Sequence, residues 1–133
     1  VVSHLLTIPG IGLLTATALF AFVGNIHRFP SARQFASWLG LTPREHSSGL
    51  KRRLGGISKR GDGYLRTLLI HGARSVILHA RKEQPDHLRN WAHRLETTHV
   101  HNKAAVAVAN KIARVVWAVW SRREDYRQMP CAA

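Results

Sequence analysis

Cysteine is almost absent from this 133-residue chain: Cys131 stands alone. No disulfide can form within it, and nothing in its thiol content points to secretion. Acidic residues are scarce too, with 7 Asp and Glu against 20 Lys and Arg, for a formal charge of +13. The acids are Glu45, Asp62, Glu83, Asp86, Glu96, Glu124 and Asp125, and no three fall on one face of one predicted element. Metal-assisted phosphoryl transfer needs several carboxylates held close together, so this chain by itself is not expected to bind a catalytic metal or to act as a complete nuclease. Methionine occurs once, at Met129, and the chain starts Val1-Val2, so a piece of a longer protein is expected. Internal repeats and low-complexity segments are lacking.

Lys, Arg, Asp and Glu are all missing between Val1 and Ile26. A membrane-spanning helix needs about 20 apolar residues in unbroken helical form. Pro9-Gly10-Ile11-Gly12 interrupts this stretch and leaves only Leu13 to Val23 as a clean run. No positive charge precedes the apolar part, as a signal peptide would require. Two short buried helices around a hairpin are expected, with no membrane partner.

What is present is an apolar content of 45%, enough for one compact domain with a real core. A packed protein carrying this much positive charge needs a polyanion to offset its self-repulsion. Nucleic acid fits better than an anionic membrane, because the charge is tied to glycine-rich loops rather than to one amphipathic helix.

The fold class expected is mainly α: a helix–hairpin–helix, a basic glycine-rich loop compatible with a short β-hairpin, and a helical bundle. Three consecutive segments of one domain are expected, at 1–30, 31–63 and 64–133. A first short helix ends near Thr7, and a second runs from about Leu13 to Val23 and closes at Gly24-Asn25. Ser31 is the expected N-cap of a third helix that buries Phe35, Trp38 and Leu39. Glycines and Pro43 break the pattern from Gly40 to Gly63, with short strands near Leu50–Leu54 and Ile57. Tyr64 to Lys82 then reads as a strong helix with Leu65, Leu68, Leu69, Gly72, Ala73, Val76, Ile77 and Ala80 on one stripe, and Arg66, Arg74 and Arg81 on another face. A less apolar helix is expected between Asp86 and Thr97. The last helix, about Asn102 to Arg123, buries Ala105, Val108, Ile112, Val116 and Val119 and exposes Lys103, Asn110 and Arg114. The tail from Tyr126 to Ala133 is expected to fray.

Two stretches carry chemistry. Leu5–Gly24, LLTIPGIGLLTATALFAFVG, resembles the helix–hairpin–helix element. Gly10 and Gly12 would let the backbone approach a ligand, Ile11 would plug the core, and the free amides opening the next helix would favour a phosphate. Such a site positions a strand without reading bases. An ordinary helical corner is the alternative. DNA glycosylases carry the same hairpin with a lysine or aspartate soon after it. Here the nearest acid is Glu45, which argues against that class.

The second stretch is Gly40–Arg66, GLTPREHSSGLKRRLGGISKRGDGYLR. Between Arg44 and Arg66 it holds seven Lys or Arg and two acids. Lys51, Arg52, Arg53, Lys59, Arg60 and Arg66, interleaved with glycine, are the expected phosphate contacts. Ser47 and Ser48 sit at the mouth of this loop. A serine attacking a phosphodiester needs deprotonation and cationic stabilisation of the transition state, a task that suits guanidinium. On spacing alone most such serines simply form turns.

IPGIG with its TA-type helix, RFPSARQFASWLGLTP, SSG and ISKRGDGYLR, in that order, resemble the C-terminal domain of the DEDD-type insertion-sequence transposases, recombinases guided by a bridge RNA. The likeness runs from about Leu5 to Arg81 and more loosely through Asn102–Trp117. It implies that Ser48 is the strand-transfer nucleophile, forming a phosphoserine link to DNA, with Ser47 adjacent as the other candidate. It also implies DNA and guide RNA as partners, a homo-oligomer in the full-length protein, and a bacterial cytoplasmic location. A separate N-terminal domain would supply four acids that hold divalent metal, of the magnesium class, with no cofactor in this part. Nine histidines, among them His87, His93, His99 and His101, lack metal-ligand spacing and are read as surface or nucleic-acid-facing. Trp117 and Trp120 are expected in the core. The rival reading is a helix–hairpin–helix module that holds nucleic acid without catalysis.

Overall fold

Turn chemistry and apolar spacing set most of the helices. In the computed structural model, α1 spans Val2–Leu5, α2 Leu13–Val23, a 3₁₀ turn Ile26–Arg28, α3 Ala32–Trp38, α4 Gly63–Leu78, α5 His87–Thr98 and α6 His101–Arg122. Strands β1 (Pro43–Ser48) and β2 (Lys51–Ile57) form one antiparallel pair. The structure describes residues 1–48, 51–57, 62–80, 86–98 and 100–127, with the backbone alone for 43–48, 51–57 and 98. The protein is mainly helical.

Caps explain where several helices start. The Ser31 hydroxyl accepts a hydrogen bond from the Gln34 amide at 3.2 Å, opening α3 as the sequence predicts. The Asp62 carboxylate accepts from the amides of Tyr64 and Leu65 at 2.8 and 3.1 Å, opening α4. Gly24 closes α2 with a φ of 73°, a left-handed conformation that costs glycine nothing.

Helix α6 is the centre of the core. Ala104, Ala105, Val108, Ala109, Ile112, Ala113, Val116, Val119 and Trp120 are buried on it. It packs against α1, α3, α4 and α5. It is long and apolar enough to cross a membrane by length and composition, yet half of that apolar window is covered by the rest of the fold. Its alanines admit close neighbours, which supply Phe35, Leu39, Leu41, Leu65, Leu69, Ala73 and Ile77.

Several expectations need correction. Helix α4 stops at Leu78, four residues before the predicted end. His79 leaves the helical conformation there, and its amide still bonds back to Ser75. The strands differ from the predicted ones: β1 falls where the residues suggest only a loop, and β2 starts at Lys51. Asn110 does not belong to a solvated face, since it is half-buried and donates to the Leu41 carbonyl at 2.9 Å. Nor does Tyr126 fray. Its hydroxyl donates to Asp86 Oδ1 at 2.5 Å, and its amide donates to the Thr7 hydroxyl at 2.7 Å. Arg81, Glu83 and His99 lie outside the described residues, as do 128–133.

Candidate nucleic-acid interface

The two sequence-predicted stretches are built differently. In the first, Gly10 has a φ of +87°, and a Cβ there would lie 2.9 Å from the Gly72 carbonyl, 3.0 Å from Val76 and 3.1 Å from Ile112. Reciprocally, a Cβ on Gly72 of α4 would collide with the Gly10 carbonyl oxygen. The missing side chain of Gly10 is thus used for packing the hairpin onto α4 and α6, and it faces inward. Ile11 is buried, as a plug should be.

Gly12 is the outward-facing glycine. It is exposed, has an extended φ of −94°, and a Cβ on it would meet nothing within 4 Å. The first bond of the α2 ladder runs from the Ala16 amide to the Gly12 carbonyl at 2.9 Å. The amides of Leu13, Leu14 and Thr15 therefore precede the ladder, with the positive end of the helix dipole behind them. Leu13 and Leu14 are 64% and 62% exposed beside these amides.

The second stretch is a backbone ladder. Its register sets Ser48 across from Lys51, Ser47 across from Arg52 and His46 across from Arg53. Directly opposed residues are nearest neighbours in an antiparallel pair, so each serine position is matched with a cationic one. The register shifts by one between the pairs Pro43–Ile57 and Glu45–Leu54, which leaves the extra residue in β2, at Gly55-Gly56. Gly49 and Leu50 at the tip lie outside the described residues, as do Lys59 and Arg60.

The chain entering β1 is tied down from two helices. Arg66 Nη1 of α4 donates to the Leu39 carbonyl at 3.4 Å, and Asn110 of α6 donates to the Leu41 carbonyl at 2.9 Å. Arg66, predicted as a phosphate contact, thus also serves as an anchor. Nearby, Arg28 sits 5.0 Å over the rings of both Phe29 and Trp38. Trp117 Nε1 donates to the Phe29 carbonyl at 3.0 Å. Sequence reasoning missed Asn110. In sequence it shares a helical face with Lys103 and Arg114, which reads as solvated.

No group of three His, Cys, Asp or Glu residues converges among the described residues. Asp62 is engaged in capping α4. Asp86 is fully buried, with Tyr126 on one oxygen and Arg89 Nη1 3.7 Å from the other. Burial, then the hydrogen bond to Asp86, pushes the Tyr126 phenol well above its ordinary range. These two acids do not fit a divalent ion, since each already serves a partner within the fold.

One fold thus carries an α2 N-terminus without a side-chain cap and a hairpin whose serine positions pair with Lys and Arg positions. Comparison with known proteins specifies the class. Residues 2–89 match the model of the transposase family IS116/IS110/IS902. A probable family 20 transposase of Pseudomonas aeruginosa is 49% identical over 126 residues, 95% of this chain and 37% of that protein. The transposase for insertion sequence element IS1111A of Coxiella burnetii is 50% identical over 121 residues, 91% of this chain and 33% of that protein. A pilin gene-inverting protein of Moraxella lacunata is 48% identical over 48 residues, 36% of this chain and 15% of that protein. The chain belongs to the IS116/IS110/IS902 transposase family, and it spans about a third of the length of the two transposases it matches.

Proposed function

We propose that this chain is the DNA-binding, strand-transfer part of a transposase, with Ser48 as its nucleophile. The observation that carries the reading is the hairpin register, which opposes Ser48 to Lys51 and Ser47 to Arg52. A serine oxygen attacking phosphorus gathers negative charge on the phosphoryl oxygens, and fixed cations beside it stabilise that charge. In the step, the Ser48 oxygen bonds to phosphorus and gives up its proton to solvent, while the departing DNA oxygen takes one up. One phosphorus–oxygen bond to the neighbouring nucleotide breaks, giving a phosphoserine link and a free hydroxyl on DNA. Lys51, Arg52, Arg53, Lys59, Arg60 and Arg66 hold the backbone around it. The α2 amides after Gly12 take a second phosphate in the manner of a helix–hairpin–helix.

The full-length protein supplies the rest: a DEDD-type acidic domain holding divalent metal, a bridge RNA that selects the DNA, and assembly into a homo-oligomer in a bacterial cytoplasm. The resemblance to the DEDD-type transposases is what assigns the metal to that other part. Relatives named for transposition, and one named for inverting a pilin gene, support DNA rearrangement as the process.

The test is DNA exchange by the full-length protein. Ser48→Ala is expected to abolish exchange and spare DNA binding, while Ser47→Ala retains most of it. Exchange by Ser48→Ala at the parent level removes Ser48 as nucleophile, and loss confined to Ser47→Ala moves the role by one residue.

A further inference from the structure

Phe22 and Tyr64 form an exposed aromatic pair that neither the core nor the serine hairpin accounts for. Phe22 is 54% exposed in the last turn of α2, and Tyr64 is 49% exposed in the first turn of α4. Their ring centroids are 6.2 Å apart at an interplanar angle of 66°, an edge-to-face contact that holds each ring in place while leaving about half of it open. Tyr64 is further fixed by its backbone, whose amide is bonded to Asp62. Two rigid elements thus present two preoriented rings to solvent.

The surroundings decide what such a platform takes. Tyr64 follows directly on the basic segment, with Lys59 and Arg60 shortly before it and Arg66 just after. The single acid in that span, Asp62, is occupied with the amides of Tyr64 and Leu65. Arg66 ties this end of α4 to the Leu39 carbonyl, just ahead of the strand that ends at Ser48. The start of α4, which carries Tyr64, therefore lies close to the chain that leads into the serine hairpin. An open ring beside cations favours a nucleobase, because the base stacks while its phosphate meets the charge. A fully paired duplex offers no free base face.

We infer that Phe22 and Tyr64 form a stacking platform for an unpaired nucleobase next to the phosphodiester held by the serine hairpin. This rests on the nucleic-acid-binding reading above and adds a ligand to it. Exchanging strands must unstack bases near the break, and a platform there captures one of them.

The experiment uses the 133-residue chain and a DNA hairpin with one 2-aminopurine, either bulged out or paired in the stem. The parent chain is expected to bind the bulged form more tightly and to quench its fluorescence. Tyr64→Ala and Phe22→Ala should each weaken binding of the bulged form about tenfold and relieve the quenching, with paired-stem affinity and its salt dependence unchanged. Tyr64→Phe should retain both, since it keeps the ring. Circular dichroism checks that each variant is folded. Equal affinity of the parent for both forms overturns the platform and leaves the phosphate-binding reading standing. Failure to bind either form overturns both. Parent-like binding by the alanine variants, together with a fall in the solution mass of the chain, overturns the platform in favour of a protein contact.

Discussion

The two hairpins of this domain are held by opposite means. The first, at Pro9–Gly12, is fixed by packing: Gly10 and Gly72 bring two backbones into contact over Ile112, and Ile11 is buried beside them. The second, β1–β2, is held by ladder pairing and by tethers to the carbonyls of Leu39 and Leu41. The core therefore fixes the geometry of the first hairpin, while the second is held by backbone pairing and by bonds to the chain that enters it. Within the PGIG motif the same division recurs, with Gly10 serving the core and Gly12 facing out.

Substitution where the two backbones touch is the strongest way to break this comparison. Gly72→Ala drives a Cβ into the Gly10 carbonyl, and neither backbone can yield as a flexible side chain would. A destabilisation of about 3 kcal/mol in urea unfolding is expected. Gly12→Ala, where a Cβ meets nothing, should cost about 1 kcal/mol or less, the usual penalty for alanine at an N-cap. Equal costs at the two positions would erase the distinction between an inward and an outward glycine.

A smaller effect is expected where the segment after α6 meets Thr7 and the start of α5. Tyr126→Phe removes the hydroxyl that serves the buried Asp86 carboxylate, for a destabilisation of about 1–3 kcal/mol at neutral pH. The pH dependence has a definite sign. The folded-state pKa of Tyr126 is raised above its ordinary value of 10, so its contribution is fully present below pH 10 and drains away as the pH climbs beyond that. The parent should therefore lose stability faster than Tyr126→Phe above pH 10, as read from unfolding midpoints across pH. Parallel profiles would mean that the phenol does not couple to folding.

Much of the helical frame was legible from residues alone. The apolar run Leu13–Val23, the Ser31 cap and the buried stripe of α6 each follow from a local rule, and each appears in the structure. The strand pair was legible only in part: β2 overlaps the strands expected near Leu50–Leu54 and Ile57, but β1 was missed, because PREHSS carries charge where a strand signal needs alternating apolar residues. Its register depends on which carbonyl meets which amide. The pairing of Gly10 with Gly72 and the bond from Asn110 to Leu41 join residues far apart in sequence. No periodicity encodes them. The expectation of fraying at Tyr126 failed for the same reason, since its partners Thr7 and Asp86 belong to other parts of the chain.

The family places the chain among transposases, but the physical claim beneath the proposed role is that the β1–β2 cations grip a phosphate backbone. The direct measurement is the affinity of the 133-residue chain for duplex DNA across a salt series, set beside an Arg52→Ala, Arg53→Ala double variant. The parent's logarithmic salt slope should fall by about two units in the variant, close to one for each phosphate left without its arginine. An unchanged slope would contradict the account, because those two arginines would then face only water.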